Sequence, residues 1–168
     1  MPNRETNKPA NLGAGKPTNQ GTRQAPYSYR NLDVWQSAQE IAAEIILLLR
    51  RVPRDAAVDE ITHQLIRAAG SVGANIAEGH GRYTFGAYRN HLSIAKGSAC
   101  EADSWLDLLR RVDAIGEQQE ADLHSRLISL VAVLTSKILS LEARAKQAGY
   151  RVREEPGIYY VDDTPIPD

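Results

Sequence analysis

Apolar side chains return at steps of three and four through four successive stretches, and this period constrains the fold more than any other feature of the chain. Trp35, Ala38, Ala42, Ile45, Leu49 and Val52 form one stripe, and Ile61, Leu65, Ala68, Val72 and Ile76 form the next. Phe85, Tyr88, Leu92, Ala95, Ala99, Ala102, Leu106 and Leu109 keep the step without a slip, and Leu127, Val131, Leu134, Ile138, Leu141 and Ala145 complete the set. A helix with one apolar stripe must hide it against another such helix. Breaks at Pro53, at Gly79-His80-Gly81 and at Gly116 are short, so consecutive helices run antiparallel. The pattern predicts an all-α protein: an antiparallel up-and-down four-helix bundle over residues 31–149.

The helix ends can be read from capping chemistry. Asp33 with Gln36 three residues on fits a capping box for the first helix. The second is expected from near Asp59 to Glu78, the third from about Thr84, and the fourth after Gly116, stopping at Gly149. Val34, Ile41 and Leu48 make a second stripe on the first helix, wider than one core normally needs, and are candidates for a subunit interface. Gly70 and Gly73 lie inside the second helix, where each glycine costs about 1 kcal/mol against alanine. Close approach of a neighbouring backbone would offset that cost, so a tight crossing with the third helix is expected near Gly70 and Ala99.

Charge separates the ends from the middle. The net charge is −1, but residues 1–30 carry +4 and residues 150–168 carry −3. Both end segments are polar and broken by proline, so a disordered basic N-terminal tail (1–30) and a disordered acidic C-terminal tail (150–168) are expected to flank the bundle. Arg23 and Arg30, with Arg82 in the turn after Gly81, are the candidate contacts to RNA or DNA phosphates. The single cysteine, Cys100, cannot staple the fold, and no uncharged run is long enough to cross a membrane, so a cytoplasmic location is expected.

Gln64, Arg67, Ser71, Asn75 and Glu78 form a polar stripe along the second helix, beside the apolar one. One reading is structural: Arg67 pairs with Glu101 or Glu78, while Ser71 and Asn75 satisfy backbone groups or Ser98. Another is an anion site built on Arg67 and Asn75. A catalytic reading lacks a base, because no histidine lies at a helical offset from Ser71. Bundles that hold a di-iron centre use two Glu-x-x-His motifs, and this chain has one, Glu60-Ile61-Thr62-His63. No catalytic residue, metal or cofactor is therefore expected.

Four separated segments add a resemblance to these readings. Gln64-Leu65-Ile66-Arg67-Ala68-Ala69-Gly70-Ser71 followed by Asn75-Ile76-Ala77-Glu78-Gly79 resembles the signature of the four helix bundle protein family, the 23S ribosomal RNA intervening sequence proteins. Leu32-Asp33-Val34-Trp35, Val52-Pro53 and Ile94-Ala95-Lys96-Gly97-Ser98-Ala99-Cys100-Glu101 are similar to other parts of that family in the same order. The resemblance spans about residues 29 to 145. It implies a bundle that assembles as a ring, a homopentamer, in a family whose biochemical role is undefined; with no catalytic constellation in the residues, a non-enzymatic scaffold or adaptor is the expected function. A more distant similarity, to accessory proteins of diversity-generating retroelements, implies a nucleic-acid-binding partner of a reverse transcriptase.

Overall fold

In a computed structural model, residues 28–149 are described, and they form a short 3-10 turn at Tyr29–Asn31 and four α-helices. These are α1 (Asp33–Leu49), α2 (Ala56–His80), α3 (Phe85–Arg111) and α4 (Glu117–Gln147), with no strand among the described residues. The calls on residues 1–27 and 150–168 lie outside them. Helix α2 packs on α3, α3 on α4, and α1 closes the square against α2 and α4.

Local chemistry explains most of the ends. Thr84 caps α3 through its hydroxyl, which accepts from the Ala87 N–H at 3.2 Å. Gln119 Oε1 accepts from the Gly116 N–H at 3.0 Å, fixing the start of α4. Gly149 takes φ +79° just past the end of α4, the left-handed conformation that glycine adopts without penalty.

One cap and one start differ from expectation. Asp33 is the first residue of α1 and caps nothing, while Gln36 donates to the Arg30 carbonyl at 2.9 Å, so the capping box does not form. The preceding 3-10 turn already folds the chain over this end and takes Gln36 for itself. Helix α2 begins a turn before Asp59, because Asp55 Oδ1 accepts from both the Ala57 and Val58 N–H groups at 2.9 Å.

The apolar stripes meet in one core. Ile45, Leu65, Ile76, Leu92, Leu106, Leu109 and Leu134 are fully enclosed, as are Ala95, Ala99 and Ala102 on α3. The alanines let α2 and α3 lie close together, as the sequence predicts. Gly70 takes no part in this, since it is exposed and a Cβ built there would meet nothing within 4 Å. Close approach occurs instead at Gly79, where a Cβ would lie 2.8 Å from His91 Cβ and 2.9 Å from Tyr88 Cδ2, and at Gly73, which the Gln39 side chain covers.

The interface stripe on α1 also needs correction. Val34 and Ile41 are 2% and 3% exposed inside the bundle, and Leu48 is half-buried against the same core. Helix α1 touches both α2 and α4, so its apolar arc has to be wide without any second copy. The apolar residues that α1 leaves to solvent are Ile46 and Leu47, at 38% and 53% exposure.

Candidate functional site

The polar stripe of α2 faces α3 and closes there into a hydrogen-bonded seam. Ser71 Oγ lies 2.9 Å from Ser98 Oγ across the two helices. Asn75 Nδ2 donates to Ser71 O at 2.9 Å and to Ser71 Oγ at 3.0 Å, so one amide serves both the backbone and the hydroxyl. Its Oδ1 faces His91 Nδ1 at 3.3 Å, and His91 Nε2 lies 3.7 Å from Glu78 Oε1. Glu78 also pairs with Arg82 one turn on. A half-buried row of this kind is stable because nearly every polar group is answered by another.

The structure thus brings Ser71, Asn75 and Glu78 together and leaves apart the other two stripe residues, Gln64 and Arg67, and Glu101 on α3. Gln64 donates to Glu60 Oε1 at 2.8 Å on its own helix. Glu101 accepts from Trp105 Nε1 at 3.3 Å. Arg67 is exposed and has no ion-pair partner among the described residues, so the expected pair with Glu101 or Glu78 is not made. His91 joins the seam from α3, and no feature of α2 could have named it. Only the register between two helices places it beside Asn75.

The chemistry of the seam is conservative. Ser71 is flanked by a second hydroxyl and an amide, neither of which takes a proton at neutral pH, and His91 reaches Asn75 rather than the hydroxyl. Tyr88 packs beside it with its hydroxyl held neutral, since burial raises its pKa above the ordinary value. Among the described residues no three His, Cys, Asp or Glu side chains converge as metal ligands. Glu60 of the Glu-x-x-His motif is engaged by Gln64, and His63 faces solvent.

A cleft of about 250 Å³ lies between α1 and α4, floored by Val34, Ile41, Leu130 and Val133. Arg126 crosses its rim to Glu44 and lies 3.9 Å from Glu40, tying α4 to α1. The candidate nucleic-acid contacts are spread out. Arg23 lies outside the described residues; Arg30 stacks over Tyr29 and Trp35, 5.6 Å from each ring; Arg82 is paired with Glu78. No helix of the described residues is long and apolar enough to cross a membrane.

Four antiparallel helices with this small-residue α2–α3 contact agree with the sequence comparison, in which the model of the 23S rRNA-intervening sequence protein family matches residues 30–136. The chain belongs to this family. The match takes in α1, α2, α3 and the first two-thirds of α4, including the whole polar seam. A solved structure to which the chain is similar is a protein of unknown function from the S23 ribosomal protein family of Bacteroides thetaiotaomicron. It is similar at a TM-score of 0.57 and 27% identity, covering 62% of this chain and 97% of that one. No curated protein matches the chain. Family membership accounts for the bundle and attaches no enzyme chemistry to it.

Proposed function

We propose that this member of the family is a non-enzymatic scaffold that assembles with copies of itself into a ring, a homopentamer. The observation that carries this reading is the apolar surface left over once the core is complete. Ile46, Leu47, Ile66, Ile94, Ile128, Val133 and Leu139 are each more than a third exposed, and they lie on every helix. Single exposed apolar residues are ordinary, and these seven become informative only where neighbours on adjacent helices join them into surface that further copies could cover. The polar seam supports the same reading, because its groups are occupied with one another and hold α2 and α3 in register. Light scattering on the full chain at micromolar concentration tests the proposal. A mass near five times 18.5 kDa is expected, and a single-chain mass contradicts it.

A second reading, a nucleic-acid-binding accessory of a reverse transcriptase, has one observation in its favour. Lys137, Arg144 and Lys146 on the last turns of α4 have no ion-pair partner among the described residues. Arg89, paired with Glu142 at 3.6 Å, shows that this end of α4 lies beside the start of α3, where Arg82 also sits. Cations gathered at one end would release counterions on contact with phosphates. Titration with structured RNA at low and high salt decides this reading. Affinity that falls steeply with salt supports it, and affinity indifferent to salt contradicts it.

A further inference from the structure

The cleft between α1 and α4 is lined from Asp33 to Ile41 on one helix and from Arg126 to Val133 on the other, two turns of each. Val34, Ile41 and Leu130 on its floor are nearly closed, but Val133 is 45% exposed. Its volume of about 250 Å³ falls below the roughly 300–1,000 Å³ usual for small-molecule pockets. Such a cleft suits the side chains of a peptide laid along it. The sequence holds a matching segment. Residues 150–168 are polar and acidic except for one run, Ile158-Tyr159-Tyr160-Val161, set between Glu154-Glu155 and Asp162-Asp163. Large apolar side chains in succession are out of place in a solvated tail. The family match stops at residue 136, so this run is an addition to the fold the family model covers.

We infer that Ile158–Val161 seats in the α1–α4 cleft of its own chain, in place of the solvated tail that composition alone predicts. Where α4 stops decides what the run can reach. Val133 lies sixteen residues before Gly149, about 24 Å along a helix rising 1.5 Å per residue. A chain that turns back at Gly149 and runs extended covers about 3.3 Å per residue. About seven or eight residues, with one more for the turn, therefore bring Ile158 level with Val133, and at this rise Val161 comes level with Arg126 at the far end of the cleft. The run and the cleft agree in length and position. Charge agrees on the way, because Glu154 and Glu155 pass Lys137, which is exposed, lies one turn after Val133 on the same side of α4, and has no ion-pair partner among the described residues. The basic segment before residue 28 would match Asp33 and Glu40 by charge but starts on the wrong side of α1. Arg30 stacks on Tyr29 and Trp35, and Trp35 Nε1 lies 3.8 Å from where a Cβ on Gly73 would stand, so that segment leaves from the α2 side. The inference does not depend on assembly, since a cleft closed within one chain is compatible with a single copy or a ring.

Disulfide trapping in the full chain tests this. Cys100→Ser removes the native exposed thiol. Ser129→Cys then places a thiol on the edge of the cleft, where the serine hydroxyl serves only the Ser125 carbonyl of its own helix. Tyr159→Cys and Tyr160→Cys are combined with it in turn, since neighbours in an extended chain point to opposite sides. Ile128→Cys in place of Ser129→Cys is the control, being as far from Gly149 but outside the cleft lining and 47% exposed. Closure is driven by a small disulfide oxidant, and each rate is taken relative to alkylation of the same helix thiol. A seated segment raises the effective concentration over that of a merely tethered one, so one of the two tail thiols should close about tenfold faster on Ser129→Cys than on Ile128→Cys. The product should run as a single chain on a denaturing, non-reducing gel. Equal rates at both positions overturn the inference, as does a product of two linked chains, which places the run in another copy's cleft. Ile158→Asp in the otherwise native chain is an independent arm that leaves every helix residue untouched. It should lower the urea midpoint with the helical signal unchanged, and an unchanged midpoint counts against the seating.

Discussion

At the scale of single residues, the glycines of α2 divide into two kinds that respond oppositely to one extra methyl. Gly79 is pressed against Tyr88 and His91, so Gly79→Ala must push α2 from α3 and should cost about 1–3 kcal/mol. Gly70 faces open space, so Gly70→Ala should stabilise the single chain by up to about 1 kcal/mol through helix propensity. Urea midpoints of the two variants check this, and equal shifts of the same sign would contradict the packing described. His124 supplies a pH dependence. Its hydrogen bond to Asp103, then the charge of that carboxylate, raises its pKa above 6.5, and burial opposes this weakly. A histidine held more basic when folded adds stability that is complete below its unfolded value, near 6.5, and is lost as pH rises through the higher folded value. The pair is exposed, so the effect is small. The urea midpoint should fall as pH rises through that window, and His124→Gln should flatten the slope; an unchanged slope would show that the pair does not form in solution.

At the scale of elements, the contact between α2 and α3 depends on small residues. Ala95, Ala99 and Ala102 are wholly enclosed, so Ala99→Leu inserts volume where none is free and should cost about 1–3 kcal/mol. Thermal unfolding measures this, and a neutral result would mean that the helices lie further apart than described. The same alanines show how much of the fold is legible beforehand. Hydrophobic period reports which side of a helix is buried, and it placed the core of all four helices, from Ile45 to Leu134. It does not report which neighbour covers each edge. Val34 and Ile41 therefore read as surplus surface, when α4 in fact covers them. His91 was invisible for a related reason, since only the height of α3 against α2 brings it to Asn75. Ser71 and Asn75 were legible because they share one helix face, and Ser98 because it is a small polar residue on the facing helix. Capping by Thr84 and the Gly116 turn need only local sequence, whereas the capping box expected at the Asp33 start of α1 does not form because a 3-10 turn competes for Gln36.

At the scale of the molecule, the bundle buries a full core and still presents isoleucines and leucines on its outer faces. Self-assembly would take Ile66, Ile128 and Leu139 out of water. Family membership through residues 30–136 supplies the bundle, while assembly is the property that would turn it into a scaffold. Discrete closure is what separates a ring from loose association through greasy faces. Native mass spectrometry of the full chain reads this directly. One dominant species of five copies of the 18.5 kDa chain is expected, and a single copy, or an open-ended series with no preferred number, would contradict the account.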